Sequence, residues 1–168
     1  NQNIRIFSVD NSKGLMSAKS VEKAFNASGV MVDVNNDMNS IFEKRYGLVH
    51  HKKYNLAIFT NKEILAKLMS KYPTIGLITP LSMPIYEDEK SINISTLSLV
   101  GMSRITKIPV TDTDLIAYAA SVDKALHKAL PNGKYLKVSH NVKVSTKPLI
   151  SAFEIELEVE EGVSIVDA

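Results

Sequence analysis

Short runs of alternating apolar and polar residues open the chain, and stripes at helical spacing separate them. Ile4-Arg5-Ile6-Phe7-Ser8-Val9 alternates and predicts a strand, with Asp10 to Gly14 as the turn after it. Ser17 is placed to cap a helix whose stripe is Ala18, Val21, Ala24, Phe25 and Ser28, with Gly29 as its left-handed stop. Val30 to Val34 reads as a second strand. Asn35-Asn36-Asp37 closes it and caps a short helix holding Ile41, Phe42, Arg45 and Tyr46, ended by Gly47. Leu48 to Lys53 is a connector or strand edge. Leu56-Ala57-Ile58-Phe59 has no polar position, the signature of a central strand covered on both faces. Asn61 then caps a helix with the stripe Ile64, Leu65, Leu68, Met69 and Tyr72, and Pro73 stops it.

Pro80 and Pro84 punctuate the next crossing, so Met83 to Tyr86 is expected to be an edge strand or to begin with a bulge. Glu87 to Lys90 is the turn of a hairpin. Between Ser91 and Leu99 the apolar phase changes from Ile92/Ile94 to Leu97/Leu99, which predicts a bulge or a change of partner near Ser95-Thr96. After Pro109, Thr111 or Thr113 is expected to cap the longest helix. Its stripe is Leu115, Ala119, Val122, Leu126 and Ala129, with Asp112 and Asp114 at the end where the dipole favours anions. Pro131-Asn132-Gly133 ends it. Tyr135 to Val138 and Asn141 to Val144 follow, and then Phe153, Ile155, Leu157 and Val159 alternate with Glu154, Glu156, Glu158 and Glu160. Together these predict an α+β fold, an antiparallel sheet with helices on one face. Residues 1–133 form the domain, and 134–168 a C-terminal strand extension.

Composition adds limits. The 168 residues are long enough for one sizeable core, and no cysteine is present for disulfides, thiolate metal sites or thiol catalysis. No apolar run approaches the roughly 20 residues that span a bilayer. Residues 151–168 hold six acids and no Lys or Arg, which leaves 20 basic and 12 acidic groups, a balance of +8, in residues 1–150. The strand Ile155 to Val159, then Glu160-Glu161, Gly162 and Ser164, repeats the opening in outline, so a longer parent chain carrying a second copy beyond Ala168 is expected. An opening without methionine leans the reading towards the periplasm or cell envelope.

The centre of the chain resembles a known family. Phe59-Thr60-Asn61-Lys62 before a helix, and Thr79-Pro80-Leu81-Ser82-Met83-Pro84-Ile85-Tyr86-Glu87-Asp88 after it, are similar to the pattern of the uncharacterised bacterial family 302 of domains of unknown function. Thr60 and Lys62 depart from that family's usual glycine and proline. The resemblance covers about residues 17–131. It implies a fold like one repeat of the TATA-binding protein, a β-α-β(4)-α arrangement, and a tendency to homodimerise. It supplies no activity, cofactor or functional residue.

Candidate sites are therefore weighed on their own chemistry. The apolar, glycine-bearing loop Thr74, Ile75, Gly76, Leu77, with Tyr86 beyond it, offers a place for a small apolar ligand or a dimer partner within residues 73–84. His50 and His51 are a histidine pair, but adjacent strand residues point oppositely, so they chelate a metal only with acids from elsewhere. Lys44, Arg45, Lys52 and Lys53, flanked by Tyr46 and Tyr54, form a basic patch over residues 44–54 that suits an anion or nucleic acid. A solvated face is the simpler explanation of the patch, since blocks of charge at a connector usually serve solubility. The sequence thus favours a non-catalytic, homodimeric binding or assembly module without a membrane span. A metal- or anion-dependent enzyme using His50 and His51, and nucleic-acid binding through 44–54, stand as alternatives. No cofactor is indicated.

Overall fold

The computed structural model describes residues 3–27, 31–47 and 53–137. Among these, the strands are β1 (Ile4–Asp10), β2 (Met31–Asp37), β3 (Lys53–Thr60), β4 (Leu81–Glu87), β5 (Ser91–Leu97) and β6 (Lys134–Tyr135). They make one sheet in the order β2-β3-β4-β5-β1-β6, and every neighbouring pair is antiparallel. The helices are α1 (Ala18–Asn26), α2 (Met38–Tyr46), α3 (Lys62–Lys71), α4 (Leu99–Thr106) and α5 (Thr113–Ala129), with a 3-10 turn over Pro73–Ile78. The fold is α+β.

Local chemistry sets the helix ends. Ser17 accepts the Ser20 amide while the Ser20 hydroxyl accepts the Ser17 amide, a reciprocal box that satisfies two donors at the start of α1. Asn61 Oδ1 accepts the Ile64 amide at 3.3 Å and opens α3. Gly47, at φ +66, ends α2 in the left-handed region that a side chain disfavours. Gly29 and the segments 48–52 and 138–168 lie outside the described residues.

Register puts the large apolar strand residues on one face. Phe7 lies opposite Ile94, Ile94 opposite Ile85, Ala57 opposite Met83, and Phe59 opposite Leu81. Against them pack Val21 and Phe25 of α1, Leu65 and Leu68 of α3, Met102 of α4, and Leu115, Tyr118, Val122 and Leu126 of α5, all in one core. Because α5 also contacts α1, α3 and α4, it is the roof that ties the helical layer together. Each of these side chains, fully buried, stabilises by about 1.5–3 kcal/mol.

Four expectations need correction. The phase change near Ser95 is not a bulge, because β5 keeps an unbroken register with β1 from Ser91 to Leu97, although its ladder with β4 does stop at Ile94. Helical spacing takes over one residue later, where Ser98 Oγ accepts the Gly101 amide at 2.9 Å and caps α4. A bulge falls instead in β2, between Val32 and Asn35. Second, β4 is an interior strand and not an edge. Pro84 is tolerated there because β5 pairs with β4 only from Ile85 to Glu87, leaving its first half unpaired on that side. Third, the cap of α5 is Asp112 and not a threonine, since its Oδ1 accepts the amides of Asp114 (2.9 Å) and Leu115 (3.0 Å). Fourth, Met69, expected in the apolar stripe of α3, is 49% exposed, whereas Leu65 and Leu68 of that stripe are buried.

Candidate functional site

At one end of α5 the charges are spent on joining helices. Lys71, in the last turn of α3, has its Nζ 3.6 Å from Asp112 Oδ2 and donates to Asp114 Oδ2. The amide of Leu115 holds the Asp112 carboxyl below the usual carboxylate range, and Lys71 lowers it further. The hydrogen bond to Asp114 raises Lys71 above the ordinary lysine value. Cap, dipole and cation thus all favour an ionised Asp112. This is a structural clamp.

A second polar cluster lies where α5 meets the β1–β6 edge. Arg5 donates to Asp123 Oδ1 at 3.2 Å, and the Tyr135 hydroxyl donates to the same oxygen. The Arg5 guanidinium sits 4.2 Å above the centre of the Tyr135 ring. His127 Nδ1 donates to the Asp123 carbonyl at 2.9 Å, and the Phe7 ring lies 4.7 Å from the imidazole and 5.0 Å from the phenol. Burial, and then the bond to Asp123, pushes the Tyr135 hydroxyl well above its ordinary value, so it stays a donor. Gly133 is required beside this cluster, because a Cβ there would overlap the Phe7 ring. Sequence reading missed the cluster; Arg5 in an otherwise core-facing position of β1 was its only signal.

The opposite face of the sheet carries a second set of apolar residues, set among Ser8, Ser82, Asn93 and Ser95. Strand alternation and register place Ile4 and Ile6 of β1, Leu56 and Ile58 of β3, Pro84 and Tyr86 of β4, and Leu136 after β6 on the side away from the core. None of these side chains belongs to the core cluster. Ile4 is 57% and Leu136 48% exposed, and the others are half-buried. The unbroken apolar run at Leu56–Phe59 was the trace of this second face.

The residues singled out from sequence fall in separate places. Ile75 and Ile78 plug the 3-10 turn into the core, while Thr74, Gly76 and Leu77 are exposed. Tyr86 is roughly 17 Å along β4 from Leu81, at the far end of the strand from that turn. Lys44 and Arg45 are exposed in the last turn of α2, with the Arg45 guanidinium 5.9 Å from the Tyr46 ring centre. Lys53 is the first residue of β3, in register with Glu87. His50, His51 and Lys52 lie outside the described residues. Among the described residues, no three His, Cys, Asp or Glu side chains gather in a way that would hold a metal, and no helix is long and apolar enough to cross a membrane.

Comparison with known proteins agrees with the fold. The structure of an uncharacterized conserved protein, DUF302, from Bacillus stearothermophilus is similar at a TM-score of 0.58 and 17% identity, covering 74% of this chain and 94% of that one. Among curated proteins no sequence matches. The family model described as "Domain of unknown function DUF302" matches residues 16–132, from the residue before the α1 cap to the turn after α5, and the chain belongs to that family.

Proposed function

We propose that the chain is a non-catalytic binding and assembly module that pairs with a second copy through the face of its sheet turned away from α1, α3, α4 and α5. The observation that carries this reading is the set of apolar side chains on that face: Ile4, Ile6, Leu56, Ile58, Pro84, Tyr86 and Leu136 lie there outside the core, beside Ser8, Ser82, Asn93 and Ser95. Apolar surfaces of this extent on soluble domains mark interaction sites. Five strands of about seven residues give a face of roughly 24 by 23 Å, so two copies would bury about 1,100 Å², near the lower bound of a specific interface. The two polar clusters support the reading as well. Lys71–Asp112–Asp114 and Arg5–Asp123–Tyr135 both join elements of the fold. A role for the 73–84 loop in holding a small apolar ligand or a partner segment rests on Leu77, since Ile75 and Ile78 are committed to the core.

Light scattering after size exclusion tests the pairing. The parent chain elutes with twice the monomer mass, and Ile4→Glu, at an exposed position of the face, shifts it towards monomer with unchanged circular dichroism. A monomeric parent at every concentration overturns the reading.

A further inference from the structure

Register sorts the face of the sheet away from the core into rows that run across the strands. Leu56 lies opposite Pro84, and Ser95 opposite Ile6. Pro84 and Ser95 are the residues next beyond the Ile85–Ile94 pair, and the Leu136 amide donates to the Ile6 carbonyl at 2.9 Å. The middle row therefore reads Leu56, Pro84, Ser95, Ile6, Leu136, with two apolar side chains on each side of one serine. β5 is also the middle strand of the five, β3-β4-β5-β1-β6, that bring the row together. The neighbouring rows are mixed: Tyr86, Asn93, Ser8 and Lys134 in one, Ile58, Ser82, Leu97 and Ile4 in the other. Asn93 is 3% exposed, and its amide donates to Asp88 Oδ2 at 3.2 Å and Ser91 Oγ at 3.0 Å, so it is committed within its own copy. Ser95 is half-buried and Ser82 exposed.

A hydroxyl pressed onto apolar side chains loses its hydrogen bonds to water without replacement. In a pair of identical copies, the surface on the twofold axis meets itself. Resting on the pairing proposed above, we infer that its twofold axis passes over Ser95, so that the two Ser95 side chains face each other at the centre of the interface. Axis directions along the row and along β5 both satisfy this. With the axis along the row, Leu56, Pro84, Ile6 and Leu136 each meet their own counterpart. With the axis along β5, Leu56 meets Leu136 and Pro84 meets Ile6. Apolar groups meet apolar groups in both arrangements. Hydroxyl meets hydroxyl, and each Ser95 gains a donor or an acceptor across the interface. A docking displaced by one strand sets Ser95 against Pro84 or Ile6 and loses both matches. Ser95 thus determines where the two copies dock, because it penalises the displaced alternatives.

A charge placed on a twofold axis meets itself, so self-repulsion and its rescue test the axis on the full chain. Ser95→Lys and Ser95→Asp, each alone, are expected to weaken dimerisation about 100-fold in sedimentation velocity, with unchanged circular dichroism. Mixed in equal amounts, they are expected to dimerise at least about tenfold more tightly than either alone, because lysine then faces aspartate. Should either variant fail to fold, Ser95→Cys supplies a single thiol in a chain that has no cysteine, and a bismaleimide with a two-carbon spacer can join two copies through it. Sheets packed face to face lie about 10 Å apart, which brings two facing Ser95 side chains within reach of that spacer, whereas two Ser82 residues would be roughly 14–17 Å apart. Ser95→Cys is therefore expected to cross-link in most copies and Ser82→Cys in few. A dimeric parent in which the mixture of Ser95→Lys and Ser95→Asp restores nothing overturns the axis and leaves the pairing standing. So does Ser82→Cys cross-linking as readily as Ser95→Cys. A parent that is monomeric at every concentration overturns both.

Discussion

Ile75 and Leu77 are two residues apart in the 3-10 turn and meet opposite environments, which makes the turn a sharp test of what the loop is for. Ile75 is fully buried between α3 and α4, and its amide donates to the Tyr72 carbonyl at 3.0 Å. Leu77 is 52% exposed. Truncating a buried isoleucine loses its transfer free energy and leaves a cavity, so Ile75→Ala is expected to cost about 2–5 kcal/mol. Leu77→Ala removes a half-exposed side chain and is expected to stay within about 0.5 kcal/mol. Urea titration followed by circular dichroism measures both, and an unchanged slope shows that each variant alters stability and not the unfolded state. In thermal scans each kcal/mol is worth roughly 2–4 °C for a chain of this size. Equal losses in the two variants, or a loss below about 1 kcal/mol for Ile75→Ala, would refute the reading of the turn as a plug whose exposed tip alone is available to a partner.

Three further outcomes follow from the polar clusters. Asp112→Ala is expected to destabilise by about 1 kcal/mol, and Asp112→Asn by much less at neutral pH, because asparagine caps as well as aspartate; urea titration separates them. Since the folded Asp112 carboxyl lies below its ordinary 3.8, its charge stabilises above that value and the contribution is lost as pH falls through the folded pKa. The gap between parent and Asp112→Asn therefore closes on acidification, whereas Lys71, raised above 10.5, contributes below that pH and loses its contribution only as pH rises through its folded value. Gly133→Ala should destabilise by about 1–3 kcal/mol as the new methyl meets the Phe7 ring, and a neutral result in a thermal melt would contradict the close packing of β1 against the turn after α5.

Much of the fold was legible because local signals agreed with tertiary ones. Ser17, Asn61 and Gly47 act as cap or stop where side-chain chemistry alone placed them. The stripe Leu115, Ala119, Val122, Leu126, Ala129 is buried along its length, although Tyr118 and Ala125 widen it. Where reading failed, two elements abutted without a breaker. β5 runs into α4 across Ser98 alone, so the change from a period of two to a helical period looked like a slipped strand. Pro84 misled for a different reason. Proline argues against two-sided pairing, and the partial β4–β5 ladder provides a one-sided stretch inside the sheet. The Arg5–Asp123–Tyr135 cluster joins residues 118 positions apart, a distance over which sequence spacing carries no geometry. For the same reason the loop 74–77 and Tyr86, close in sequence, are separated by the length of β4.

Sedimentation velocity over a wide concentration range tests the assembly reading most directly, comparing the parent with Ile4→Glu plus Leu56→Glu on the face away from the core and with Ile116→Glu on the exposed side of α5. The account predicts a dimer for the parent and for Ile116→Glu, and a folded monomer for the double variant. A monomeric parent, or a dimer that Ile116→Glu breaks and the double variant leaves intact, would contradict it.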